Sequence, residues 1–236
     1  MLKGASLFTV WQNVPRRPTR DVYFLGSGDS SPLHLAALFR SLCEIEAPED
    51  GVRFDSASVE VTPIREEQRY GGQRVRLLAY LAEARVPLRI DVGFGDVVTL
   101  PVCEADYPTL LGLPAPRLRL YPRETVIAEK WQAMVELGSA NSRLKDFYDV
   151  WILSCYLEFD GALLSQAIAA TFERRRTPLP AAIPEALEDV FSNDRAKVTQ
   201  WRAFARKSWL KDVPKLHAVA AAFPMQWIFD EGWQTK

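Results

Sequence analysis

The chain has 236 residues, of which 48% are hydrophobic, 25% charged and 11% aromatic. These ordinary globular proportions exclude a collagen-like repeat, a disordered tail and a disulfide-stapled miniprotein. Lys and Arg number 29 against 30 Asp and Glu, a net charge of −1; that excludes a globally basic nucleic-acid binder and leaves room for a local basic face.

Ala5–Trp11 is a short apolar segment, followed by a Pro/Arg loop over Asn13–Thr19. Asp21–Leu25 (DVYFL) has the β-branched and aromatic content of a strand. Gly26-Ser27-Gly28 breaks it as a turn. Ser31-Pro32 is a helix start, and Leu33–Ile45 carries apolar residues at helical spacing. Ser58–Ile64, Arg74–Leu81 and Val86–Val92 read as strands, with Gln73–Ala84 also compatible with a helix. Val97–Pro101 is a further short strand. The composition changes near Pro114–Pro122, and the remainder is helical. Arg123–Leu137 ends at Gly138, which suits a C-cap. Ser142–Tyr156, Gly161–Arg176, Pro184–Phe191, Asp194–Lys207 and Val213–Phe223 follow. The expectation is an α+β protein, with a sheet-containing part over 1–122 and a helical part over 123–236.

Cys43, Cys103 and Cys155 lie far apart and form no CxxC, which points to a reduced compartment. His34 and His217 are too few for a His-based metal site and read as packing or surface residues. The opening MLKGASLFTVW lacks a signal peptide's long apolar run, and no stretch nears the ~18 apolar residues that span a bilayer. A soluble, cytoplasmic protein with no membrane partner is expected.

Three constellations can carry chemistry. The first is Lys3-Gly4-Ala5-Ser6, followed by Arg17-Pro18-Thr19-Arg20-Asp21-Val22-Tyr23. A small-residue turn before a helix exposes amides that suit a phosphate. The second is Arg89-Ile90-Asp91-Val92-Gly93-Phe94-Gly95-Asp96. Asp91 sits in an apolar strand, where an unpaired charge is costly. Beside Asp21 it would complete a carboxylate pair for a hard divalent cation. The alternative is a structural carboxylate at the Gly93 turn, with Arg20 and Asp21 a solvated pair. The third is Glu129-Lys130, then Asn141-Ser142-Arg143-Leu144-Lys145-Asp146-Phe147-Tyr148-Asp149. Asp146 and Asp149 share a helix face; Lys145 and Asp149, four apart, suit a plain surface pair. Arg143 and Lys130 are the cations a polyphosphate needs. Glu173–Arg176 (ERRR) reads as a solvated helix end suited to the helix dipole, with an RNA patch as the sharper alternative. Trp201, Trp209, Trp227 and Trp233 read as packing residues rather than base-stacking platforms.

Taken in order, KGAS, RPTRD, IDVGFGD, AEKWQAMVELG and SRLKDFYDVW resemble the AbiEii/AbiGii toxin family. These are nucleotidyltransferase-like toxins of abortive-infection toxin–antitoxin pairs. The resemblance runs from about Lys3 to Leu153, with the last third matching only as a helical tail. It implies a polymerase-beta-like nucleotidyltransferase core with a mixed sheet, followed by a helical half that completes a cleft. It implies that Gly4 and Ser6 lie near the phosphates of a nucleoside triphosphate. Asp21 becomes the first metal carboxylate and Asp91 the strand carboxylate, holding Mg²⁺. Lys130 and Arg143 would bind phosphates. Asp146, in the Arg-x-x-Asp-x-x-Asp motif that ends at Asp149, would join Asp21 and Lys130 as an essential residue. The acceptor would be RNA, such as a tRNA 3′ end, and a cognate antitoxin protein would be the partner. The family usually has Asp-x-Asp where this chain has Asp21-Val22-Tyr23. A phenol with a pKa of ~10 does not replace a carboxylate at neutral pH. Two other readings follow: a degenerate relative that binds nucleotide, RNA or antitoxin, and a phosphotransferase on the same scaffold.

Overall fold

The computed structural model describes residues 1–14, 16–19, 21–46, 50–64, 71–98, 102–109 and 111–222. Its first unit comprises residues 1–13, 19–96 and 104–120. The elements there are β1 (Leu2–Lys3), α1 (Leu7–Gln12), β2 (Asp21–Gly26), α2 (Pro32–Cys43), β3 (Val52–Ile64), β4 (Gly72–Leu81), β5 (Ala84–Phe94), β6 (Cys103–Asp106) and β7 (Arg117–Leu120). Seven strands form one sheet in the order β3-β4-β5-β2-β1-β7-β6. The sheet is mixed: β3, β4 and β5 run antiparallel, β2 pairs β5 in parallel, and β1 pairs β2 antiparallel and β7 parallel.

The strand expected at Arg74–Leu81 forms as β4, and the helix also compatible with Gln73–Ala84 does not, because β4 is paired along both edges, by β3 and by β5. Val75, Leu77 and Ala79 point to one face and are buried. Val59, Val75 and Leu77 form a core against Phe39 and Cys43 of α2 and Leu88 and Ile90 of β5. That leaves the other face for Arg74, Arg76 and their cross-strand partners. Ser31 caps α2, its side chain accepting from the His34 amide, with Pro32 in the first turn. β3 begins six residues earlier than the expected Ser58, crossing a register shift between Asp55 and Glu60. Of the strand expected at Val97–Pro101, Val97 and Val98 are irregular and 99–101 lie outside the described residues.

The second unit comprises residues 14–18, 97–103 and 121–236. Its helices are α3 (Arg123–Leu137), α4 (Leu144–Tyr156), α5 (Gly161–Arg174), α6 (Asp189–Ser192), α7 (Arg195–Lys207) and α8 (Leu216–Ala221). A 3₁₀ turn at Glu185–Leu187 precedes α6, so the helix expected over Pro184–Phe191 is broken. α3 is buried around most of its circumference, with Ile127, Trp131 and Met134 in the core. Gly138 closes it at φ +47, a conformation an L side chain rarely adopts. Phe147 of α4 stacks on Phe191 of α6 at 5.6 Å. Trp227 and Trp233 lie outside the described residues. Among the described residues no helix is long and apolar enough to cross a membrane. Cys43, Cys103 and Cys155 are free thiols.

Candidate active site

The parallel register of β2 with β5 sets Asp21 opposite Arg89 and Tyr23 opposite Asp91. Paired residues share a face, so Asp21, Tyr23, Arg89 and Asp91 all project from the same side of the sheet. The antiparallel register of β4 adds Arg74 opposite Asp91 and Arg76 opposite Arg89. Asp91 is only 4% exposed. The Arg74 guanidinium donates to both of its carboxylate oxygens at 2.8 Å. Arg89 makes the same two-pronged contact with Asp21. Burial works against charge on Asp21, but the Arg89 guanidinium outweighs it and holds the carboxyl below its usual range.

Tyr23 stands between the two acids. Its hydroxyl donates to Asp21 Oδ2 at 3.3 Å. Burial and the charges of Asp21 and Asp91 push its pKa up to about 12. Tyr23 is therefore a neutral phenol at pH 7, a donor rather than an anionic ligand. Its ring fixes the first motif as well. Gly4, at φ +80 in the turn between β1 and α1, has no room for a side chain, since a Cβ there would stand 2.9 Å from Tyr23 Cδ2. Ser6 is buried in the same turn. Lys3 pairs with Asp96 at 2.7 Å.

A hard divalent cation requires oxygen donors. This face offers two carboxylates, Asp21 and Asp91, and a neutral phenol. Among the described residues no group of three or more His, Cys, Asp or Glu could hold a metal. Both oxygens of each acid are already engaged by a guanidinium, Arg74 at Asp91 and Arg89 at Asp21, and the face does not supply a three-carboxylate set for two cations.

The helical unit carries a separate polar network. Lys130 of α3 donates to Asp146 at 2.6 Å and to Asp149 at 2.8 Å. Arg143 donates to Asp146 at 2.8 Å. Arg17, from the Pro/Arg loop, grips Asp149 with two bonds, at 2.7 and 2.9 Å. Both aspartates are 1% exposed. Burial alone would raise their pKa values; Lys130 with Arg143 at Asp146, and Lys130 with Arg17 at Asp149, reverse this and hold both below the ordinary carboxylate range. Burial likewise opposes charge on Lys130, and the two carboxylates more than restore it. The network is fixed locally by Asn141, whose side-chain oxygen accepts from the Arg143 amide at 2.7 Å as α4 begins.

The surface pair expected between Lys145 and Asp149 does not form: Asp149 turns inward to Lys130 and Arg17. Lys145 is left exposed, without an ion-pair partner among the described residues. Its ammonium is partly shielded from water and lies among Lys130, Arg143 and Arg17, which lowers its pKa. Four cations thus surround two carboxylates. Sequence reasoning gave Lys145 only a surface pair with Asp149, placed Arg17 in a constellation without its partner, and passed over Arg74. Only the cation excess in RLKD pointed toward the first; the other two meet their partners through tertiary register.

Two solved structures resemble this fold. One is a crystal structure from H. pylori described as a candidate nucleotidyltransferase, 14% identical, with a TM-score of 0.52, covering 96% of this chain and 84% of that one. The other is Helicobacter pylori JHP933, 13% identical, with a TM-score of 0.51, covering 96% of this chain and 81% of that one. At such identity they establish the α+β, nucleotidyltransferase-like fold. No curated protein matches the chain significantly. The family model for the nucleotidyl transferase AbiEii toxin of type IV toxin–antitoxin systems matches residues 1–223, well past Leu153 and through the helices that had read as a generic tail. The chain therefore belongs to the AbiEii nucleotidyl transferase toxin family, and its function is nucleotidyltransferase-like.

Proposed function

We propose that the protein transfers a nucleotide from a nucleoside triphosphate to an RNA acceptor, such as the 3′ end of a tRNA, as the toxin of a toxin–antitoxin pair working in the cytoplasm. The observation that carries this reading is the placement of Asp21 and Asp91 on one face of adjacent parallel strands. Asp21 and Asp91 are the residues that would hold Mg²⁺, which when bound neutralises charge on the α-phosphate and the departing pyrophosphate. In the step, an acceptor hydroxyl oxygen bonds to the α-phosphorus and gives up its proton to water, the bond from the α-phosphorus to the oxygen bridging to the β-phosphate breaks, and pyrophosphate leaves with that oxygen. Arg74 and Arg89 aim the two carboxylates, and Arg89 keeps Asp21 ionised. Tyr23 offers a neutral hydrogen-bond donor. Gly4 and Ser6 form a turn for phosphate. Lys130, Arg143 and Lys145 supply positive charge to a polyanionic substrate. Asp146 has both oxygens engaged by Lys130 and Arg143. Its role is to position those cations, not to take a proton from the acceptor.

The test is to incubate the protein with RNA and nucleoside triphosphates labelled at the α- or the γ-phosphate. Transfer of α-label alone supports nucleotidylation. Transfer of γ-label identifies a phosphotransferase and refutes this reading. A second reading, a non-catalytic nucleotide or RNA binder, is favoured by one observation: the Tyr23 phenol stays neutral beside carboxylates already held by arginines. Calorimetry separates the two. Nucleotide binding that needs Mg²⁺ supports the transferase, and binding indifferent to Mg²⁺ supports the binder. Regained transfer on Tyr23→Asp would locate the defect.

A further inference from the structure

We propose that α7 and the turn that ends it form the surface on which the RNA acceptor docks, an inference that rests on the RNA-directed reading above. Residues 195–215 carry seven cations and one acid, Asp212, in a chain whose net charge is −1. Within α7 there is no acidic residue. Arg195, Arg202 and Arg206 stand seven and four positions apart, which sets them on one stripe of the helix, about 16 Å long. All three are exposed, and none has an ion-pair partner among the described residues. Lys207 and Lys211 extend the charge beyond the helix end. The opposite face is spent on packing: Trp201 is buried and donates from Nε1 to the Pro214 carbonyl at 2.9 Å, and Phe204 meets the Tyr148 ring at 5.8 Å.

Helix stability does not account for this charge. Cations in the last turn suit the helix dipole, which explains Arg206 and Lys207. Arg195 lies in the first turn, where the dipole opposes a cation. Trp209 is the second, independent sign. Expected as a packing residue, it is 86% exposed. It also adopts φ +53, the left-handed conformation that favours glycine. The Leu210 amide bonds back to the Ala205 carbonyl and the Trp209 amide to the Arg206 carbonyl. That is a glycine-type helix termination with tryptophan at the strained position. The fold gains no packing from the ring and bears the strain of holding it outward. An unpaired arginine stripe beside an exposed indole is what a single-stranded polyanion with stackable bases requires. An anionic bilayer would need the apolar face of α7 free for insertion, and that face is buried.

The test measures binding of a fluorescein-labelled single-stranded RNA of about 12 nucleotides to the full chain, without nucleotide, across a salt series. The expected outcome for Arg195→Gln/Arg202→Gln/Arg206→Gln is a Kd at least tenfold higher and a log–log salt slope shallower by about 2. Trp209→Gly should weaken binding at least about fivefold while the melting temperature holds or rises, since glycine relieves the strained φ. A structural role for Trp209 would lower it instead. The proposal is overturned if either variant binds RNA as tightly as the parent, or if phosphatidylserine vesicles displace the RNA and bind equally well. Parent protein that binds no RNA overturns both this surface and the RNA-directed reading. Variants that lose RNA while no α-label is ever transferred would leave the surface standing and sink the transferase alone.

Discussion

Lys130→Met tests whether the helical network is a buried, charge-balanced unit. The ammonium sits between Asp146 and Asp149, each 1% exposed. Methionine keeps an unbranched side chain one atom shorter and removes the charge. Removing one partner of a buried ion pair typically costs about 3–5 kcal/mol, because the remaining charge is left uncompensated. Here each carboxylate retains one guanidinium, Arg143 at Asp146 and Arg17 at Asp149. The loss therefore belongs at the lower end, about 3 kcal/mol, or about 6–12 °C in melting temperature for a chain of this size. Calorimetric melting at pH 7 reads it directly. Adding Asp149→Asn removes one of the two acids, and the double variant should lose less than the sum of the singles, with a coupling of about 0.5–3 kcal/mol. A Lys130→Met protein that melts within a degree or so of the parent, or strict additivity in the double variant, would refute the reasoning.

Acid should expose the same network. Folded Asp146 and Asp149 titrate below their unfolded value of about 3.9. Their stabilisation is thus fully present above that pH and is lost as pH falls through the lowered folded values. The melting temperature should fall steeply below about pH 4, and Asp146→Asn should flatten that fall in a pH-resolved melt. Arg74→Leu leaves Asp91 buried without its guanidinium, and its urea midpoint should drop by the equivalent of about 1–3 kcal/mol, since part of Arg74 is open to water. Gly4→Ala meets Tyr23 Cδ2 at 2.9 Å and a φ of +80, so it should destabilise; about 1–2 kcal/mol is expected from the backbone alone. Adding Tyr23→Ala should recover the contact part and leave the backbone part, as read by the same denaturant titration.

Local chemistry made much of the fold legible. The DVYFL run became β2, Ser31-Pro32 capped and opened α2, and Arg123–Leu137 ended at Gly138. What escaped was set by partners distant in sequence. β7 is an RLRL tetrapeptide that becomes a strand by pairing with the two-residue β1, Leu120 opposite Leu2. The start of β3 is hidden by the polar run Asp55–Ser58 at the register shift. The same holds for the candidate site. Strand alternation puts Arg89 and Asp91, two residues apart, on one face of β5, but only the β4 register brings Arg74 to Asp91. Spacing along α4 suggested Lys145 for Asp149, whereas tertiary packing supplied Arg17, 132 positions away. Trp209 looked like core by residue type alone; its strained, outward backbone is a property of the helix end.

The most direct measurement is RNA labelling by α-labelled nucleoside triphosphates with the parent protein and Asp21→Ala, each melted in parallel. The Arg89 side chain that pairs with Asp21 is 42% exposed and can turn to water when the carboxylate is removed, so the loss should move the melting temperature little. Label in RNA from the parent, and its loss in a variant that melts normally, is the expected result. Full labelling by Asp21→Ala would contradict a site built on that carboxylate, and absence of labelling by the parent with every nucleotide would contradict the transferase itself.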